Sequence, residues 1–299
     1  MPPRKKSGPV AKASRKKPQT VSSRGRPKAL AGTNTKPAKT GAKPVNSHVQ
    51  SRASAGAKAK PTKKGLQPSL EDQVQAVLKS LERLAEKRVL ADMFDRYNIR
   101  PSKAFGVSMT NIQKVAKPLG WNHELAAALW ETGWYEARMA TSFIDDPALV
   151  TAAQMDRWCR DFDNWGIVDT LCFNLFDRTP HAWRKVTQWA NQEAEFVKRA
   201  GFALLWSLTV HDKLAADEPF LQGLEFIERA ADDERHFVKK AVNMALRAIG
   251  KRNAALNAAA VKVARRLAES PNASARWVGK DALRELTSPG VTRRLTARH

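Results

Sequence analysis

A short aromatic-basic signature returns at nearly constant spacing through the second half of the chain, and this periodicity limits the possible folds more than any other feature. Phe196-Val197-Lys198-Arg199 is followed 41 residues later by Phe237-Val238-Lys239-Lys240, and 40 residues after that by Trp277-Val278-Gly279-Lys280. Each copy sets a basic or basic-ended tetrad in which an aromatic and a cation are three positions apart, a spacing that shares one side of a helix. A period near 40 is the length of a two-helix repeat, and such units bury their apolar faces by stacking into a solenoid. Stacking predicts Arg199, Lys240 and Lys280 as a positive row along one surface, a platform for a polyanion. Tyr135 and Arg138 extend the row upstream, at a separation of 61 residues that marks an irregular place in the array.

The rest of the pattern agrees with helices throughout. Ser69 with Asp72 three residues on forms a capping box before an amphipathic run to about Tyr97. Residues 98–106, with Pro101 and Gly106, read as a connection. Further helices are expected over 108–118, 123–132, 134–144, 151–161, 165–177, 181–190, 192–210, 217–230, 233–251, 254–269 and 273–287, punctuated by Pro147, Pro180, Pro219 and Pro271 and by Gly120 and Gly133. No segment alternates as a half-buried strand does. The fold class expected is all-α: a HEAT-like helical-repeat solenoid with a concave basic face, over residues 67–299.

Residues 1–66 are of another kind. They hold 18 Lys or Arg, no acid and no aromatic, so of the formal charge of +23 they account for +18 and leave +5 for the remaining 233 residues. Such a stretch has too little apolar surface to offset ordering entropy and is expected to be disordered. Each cation that neutralises a phosphate releases a counterion, so the tail is expected to bind DNA without sequence preference and with strong salt dependence. Arg24-Gly25-Arg26-Pro27-Lys28 matches the core of an AT-hook, whose arginines Arg24 and Arg26 would enter a narrow minor groove.

Several classes are excluded by composition. Cys159 and Cys172 are 13 apart with no CxxC pair, against a zinc site or a disulfide framework; no metal or cofactor is expected. No apolar run approaches 18 residues, so no membrane span is expected. The start lacks the apolar segment of a secretory signal, although an organellar transit peptide shares its composition. A cytoplasmic, DNA-associated (nucleoid) monomer fits best. His211 is read as capping a helix end, and the run Asp232-Asp233-Glu234 as favouring a helix dipole. Trp130, Trp134, Trp158, Trp183, Trp189 and Trp206 fall at helical spacing and are read mostly as core.

The most unusual stretch is Trp165-Gly166-Ile167-Val168-Asp169-Thr170-Leu171-Cys172-Phe173, apolar except at Asp169 and Thr170. Trp165 and Asp169 are i,i+4 neighbours over one patch. A carboxylate in an apolar helix needs a cation or hydrogen-bond donors. It is either a structural Asp satisfied by an Arg or a helix N-terminus, or a functional group.

From about Tyr97 to Leu286 the chain resembles the HEAT-like-repeat DNA alkylation-repair glycosylases of the AlkD type. The resemblance rests on ordered segments: Tyr97 nine residues before Gly106-Val107, then Trp165-xxx-Asp169, Phe196-Val197-Lys198-Arg199-Ala200 and Phe237-Val238-Lys239-Lys240-Ala241. It implies duplex DNA carrying a cationic alkylpurine (3-methyladenine or 7-methylguanine) as substrate, and hydrolysis of its N-glycosidic bond. It implies Asp169 as catalytic carboxylate, Trp165 beside the nucleotide's sugar, Arg199 near the site and Tyr97 lining it. Arg199 reads equally as a phosphate clamp or as the partner of Asp169. Arg138, Lys240 and Lys280 are expected at phosphates. One position departs from the family: a Trp is usual seven residues after the Phe of the second tetrad, and this chain has Met244. The alternatives are a related protein that binds branched or distorted DNA without cutting, and a protein-binding scaffold, against which the basic row argues.

Overall fold

The structure, a computed structural model, describes residues 68–297, all within one compact unit that spans Lys64–His299. Fourteen α-helices and no strand are found among the described residues. They are α1 (Leu70–Glu82), α2 (Lys87–Ala91), α3 (Met109–Ala116), α4 (His123–Glu131), α5 (Tyr135–Ile144), α6 (Ala152–Arg160), α7 (Trp165–Asn174), α8 (Ala182–Ala190), α9 (Glu195–His211), α10 (Glu218–Ala230), α11 (His236–Ile249), α12 (Ala254–Ala268), α13 (Ala273–Leu286) and α14 (Pro289–Thr296). The fold is the expected all-α helical-repeat class. The tail and its Arg24 and Arg26 lie outside the described residues.

Side-chain caps set six of the fourteen helix starts. Ser69 and Asp72 close the predicted capping box on α1. Asn122, Thr151, Asn164, Asn253 and Asn272 each accept a backbone N–H from the first turn of α4, α6, α7, α12 and α13. Several boundaries differ from expectation, two of them most. The run to Tyr97 is broken after Glu82 and resumes as α2 and a π-helical turn, Asp92–Arg96. A last helix, α14, begins at Pro289, where proline suits the first turn.

The even-numbered helices α8, α10 and α12 form one layer, and α5, α7, α9, α11 and α13 pack side by side as the other, joined by the α8/α9, α10/α11 and α12/α13 pairs. The second layer is parallel, because its N-termini meet: Phe196 and Phe237 have ring centroids 5.6 Å apart, and Ser274 Oγ donates to the Asp233 carbonyl just before α11. Between the layers lies an apolar core that includes Trp130, Trp158, Phe176, Trp189, Phe202 and Phe220, with the Trp130 and Trp158 rings stacked at 4.3 Å. Trp134, Trp183 and Trp206 are only partly buried and pack against its edge.

Glycines fix how close the layers come. A Cβ on Gly201 would collide with the backbone at Trp189-Ala190, and one on Gly279 with the backbone at Leu267-Ala268. Both glycines sit eleven residues after the alanine they touch, and both are seventh in their helix. This gives the true register of the repeat, with the first residues Glu195, His236 and Ala273 equivalent.

Candidate functional site

That register changes the predicted row. Counting from the helix starts, the fifth residues of α7, α9, α11 and α13 are Asp169, Arg199, Lys240 and Trp277. The third sequence echo is therefore three residues out of phase. Trp277 occupies the place of Arg199 and Lys240, and Lys280, although exposed, is one position short of a turn further along. The row is a carboxylate, a guanidinium, an ammonium and an indole, in place of four equivalent cations.

The first two members are paired. Arg199 donates from Nε and Nη2 to Asp169 Oδ1 at 3.1 and 2.9 Å, and from Nη2 to Oδ2 at 2.7 Å. Its Nη1 reaches the Phe237 carbonyl at 2.8 Å, tying the first turn of α11 to the pair. Of the two readings left open for Arg199, the geometry is that of the partner of Asp169. The Arg199 side chain is 4% exposed and that of Asp169 18%, so the carboxylate is the member that reaches the surface. Burial pushes the Asp169 carboxyl above its ordinary range, against the pull of the Arg199 charge and hydrogen bonds. An ionised carboxylate accepts about four hydrogen bonds, and Arg199 supplies three, which leaves capacity on the exposed side.

Trp165 lies beside this pair, with the Arg199 guanidinium carbon 5.9 Å from its ring centroid. Its indole Nε1 donates to the Tyr97 carbonyl at 2.8 Å. Tyr97 ends the π-helical turn, and Asn98 follows in the left-handed region at φ 50°, a conformation Asn tolerates at a helix C-terminus. The Tyr97 side chain is left 44% exposed. The structure thus joins Tyr97, Trp165, Asp169 and Arg199 across 102 residues of sequence. Single π-helical turns occur frequently at functional sites.

Arg138 does not extend the row outward. Its Nε donates to the Trp130 carbonyl, its Nη1 to the Asp161 carbonyl, and its guanidinium lies 4.8 Å over the Trp130 ring. The side chain is 19% exposed. In this structure Arg138 braces α4, α5 and the end of α6. Met244, one turn beyond Lys240 on α11, is partly buried. Lys240 is exposed, with Nζ 4.9 Å from the Trp277 ring.

Two carboxylates that support the site were missed. Glu136, fully buried in the first turn of α5, accepts from the backbone N–H groups of Phe105, Gly106 and Val107 at 3.0, 2.8 and 3.2 Å. Gly106, at φ +83°, permits the turn that aims these groups inward. Asp233 lies in the loop before α11, so the acidic run does not start that helix. Burial pushes the Asp233 carboxyl up, but hydrogen bonds from Arg235 and Lys198 prevail and bring it down to about 2. Its signal in the sequence was an acid just ahead of a repeat, opposite Lys198 of the preceding one. His211, read as a cap, instead pairs through Nδ1 with the buried Asp177 carboxylate.

Residues 74–286 match a sequence family described as DNA alkylation repair enzyme. The chain belongs to that family. The match spans well over half of the chain and includes Tyr97, Trp165, Asp169, Arg199 and the whole fifth-position row. Among solved structures, one from work on a new family of proteins related to the HEAT-like repeat DNA glycosylases, with affinity for branched DNA structures, superposes with a TM-score of 0.60. It is 21% identical in sequence and the match covers 71% of this chain and 94% of that one. At that identity the likeness shows the fold. A comparison with curated protein sequences gives no match. Among the described residues no helix is long and apolar enough to cross a membrane, and no cluster of three His, Cys, Asp or Glu stands ready for a metal ion.

Proposed function

We propose that the chain is a DNA glycosylase that hydrolyses the N-glycosidic bond of cationic alkylated purines in duplex DNA. The observation that carries this reading is the surface-reaching Asp169 carboxylate, locked by Arg199 and flanked by Trp165. A purine alkylated at N3 or N7 carries positive charge. When its C1′–N bond breaks, the bond electrons neutralise the base, which leaves without needing a proton. The sugar is left with oxocarbenium character, and water adds to C1′ and releases a proton to solvent.

What needs help is therefore the sugar. A fixed carboxylate near C1′ stabilises the developing charge, and one such group in a water-poor site contributes about 3 kcal/mol, roughly a hundredfold in rate. The Trp165 π-face adds a smaller cation-π contribution of about 0.5–2 kcal/mol. Arg199 touches no substrate in this scheme. It holds Asp169 in one rotamer, while its own charge is cancelled by the carboxylate it positions.

The test is base release from duplex DNA containing 7-methylguanine, by the wild-type chain and by Asp169→Asn. Release by wild type and a loss of about a hundredfold in the variant is the expected result. Binding without release by either protein favours the second reading, a protein that grips branched or distorted DNA without cutting it. Two observations favour that second reading: Met244 replaces the usual family aromatic, and the superposed relative is described as having affinity for branched DNA. The basic tail, on either reading, raises local concentration on DNA.

A further inference from the structure

The fifth-position row ends on a residue that neither the repeat nor the core explains. Trp277 is 37% exposed, on a helix whose buried side is already filled by Ala275, Val278, Gly279, Ala282 and Leu286. It stands where α9 has Arg199 and α11 has Lys240. Two lysines of α11 flank it, with Lys240 Nζ 4.9 Å and Lys239 Nζ 5.7 Å from its ring centroid. Phe237, partly buried, lies in the first turn of the same helix, and His236 beside it is held below its ordinary pKa by burial and by Lys240, Lys239 and Arg199. The end of the row is therefore an indole set among cations.

An indole left more than a third exposed among lysines keeps ring surface in water that folding does not use. On a surface that holds nucleic acid it supplies a stacking platform, worth about 1–3 kcal/mol per base in other single-strand binders and indifferent to sequence, while nearby ammonium groups serve the phosphates. Stacking needs a base with a free face, which a paired duplex does not offer. We propose that Trp277, with Lys239 and Lys240, forms a second nucleotide-contact site that stacks an unpaired base of forked or branched DNA. The site is separate from the Asp169 carboxylate: α7 and α13 are three helix spacings apart, roughly 25–30 Å at 8–10 Å per neighbour. On this proposal the two activities in competition above are two ends of one row, the lesion at Asp169 and unpaired flanking DNA at Trp277. The inference rests on the reading that this face holds DNA.

The test compares the full-length wild type with Trp277→Leu, Trp277→Phe and Lys240→Ala. The probes are a fully paired duplex, a fork with two unpaired thymidine arms, and the same fork with abasic arms, each titrated at fixed salt. Trp277→Leu is expected to lose about fivefold or more in affinity for the thymidine fork and less than about twofold for the other two probes. Trp277→Phe should recover most of the loss, since the phenyl face still stacks. Lys240→Ala should weaken all three probes alike. Equal losses on all probes for Trp277→Leu, or no loss on any, overturn the stacking site. If Lys240→Ala weakens binding while Trp277→Leu does not, the DNA-binding face stands and the stacking proposal alone falls. If neither variant changes any affinity, the reading of this face falls with it. Thermal melts of the variants separate binding from folding.

Discussion

Asp169 is held between two opposing demands. The proposed reaction needs it ionised, and its burial favours the protonated acid, whereas the Arg199 guanidinium favours the charged carboxylate. The sign of the pH dependence follows. The active form is the deprotonated one, and the folded-state pKa is raised above the ordinary 3.8, so base release falls as pH is lowered, with its midpoint above that value. Arg199→Gln removes the charge that opposes the shift, so its midpoint should move higher still. Single-turnover release measured across pH, with spontaneous depurination of the DNA subtracted, checks both. A midpoint at or below 3.8 in the wild type would mean that Asp169 is more hydrated than its packing indicates. At this scale the sequence was informative where a residue clashed with its own helix: one Asp among apolar neighbours pointed to a cation, and Arg199 in a flanking repeat was a candidate for it. Glu136 carried no such signal, because its partners are backbone N–H groups about thirty residues away, and any residue there except proline would offer the same donors. Arg138 misled for the converse reason. Its place in an aromatic-basic tetrad is legible, but whether a long side chain turns out to phosphate or back onto Trp130 is decided by tertiary packing.

Between elements, the interval that matters is the distance of closest approach. Gly201 and Gly279 let α9 and α13 rest on the backbones of α8 and α12, whereas α11 has Val242 at the equivalent place. Gly201→Ala therefore has nowhere to put its methyl, since backbone atoms of both Trp189 and Ala190 stand in the way and cannot swing aside as a side chain would. The better helix propensity of Ala, about 1 kcal/mol, does not offset the separation of two packed helices. A net destabilisation of about 1–3 kcal/mol is expected, read from the urea midpoint at constant m-value. Stability unchanged or raised would show that the α8/α9 pair yields easily, and would remove the basis for using these glycines as register marks. The same comparison shows how far periodicity reaches. The 40-residue period announced the helical repeat, and the cap at Ser69 was readable from Asp72 three residues on. The phase of the third repeat was not, because Trp277-Val278-Gly279-Lys280 mimics the earlier tetrads in its leading aromatic, its Val and its closing cation, while α13 begins 37 residues after α11 and not 40. Only the contact of Gly279 with Ala268 exposes the slip.

On the proposed function, the molecule as a whole divides its charge from its chemistry. Eighteen cations lie in residues 1–66, and the body from residue 67 carries a net +5. On the body, Arg138 and Arg199 are turned inward, so the exposed cations of the row reduce to Lys240 with Lys239 and Lys280 nearby. A body so modestly charged neutralises few phosphates by itself, whereas the tail has enough cations to neutralise many. Affinity should then be largely a property of the tail and base release a property of the body. Deleting residues 1–66 is expected to reduce the steepness of log K against log salt by about 0.9 for each phosphate that the tail had neutralised, and to weaken binding most at low salt. Base release at saturating protein should be unchanged, because Tyr97, Trp165, Asp169 and Arg199 all lie in the body and hold one another there. The check is a salt series of DNA titrations for both proteins, alongside single-turnover release with protein well above its Kd. A salt slope that survives the deletion would place the phosphate-binding cations on the helical face instead. A loss of release at saturation would mean that the tail completes the site, and the division of grip from chemistry would be wrong.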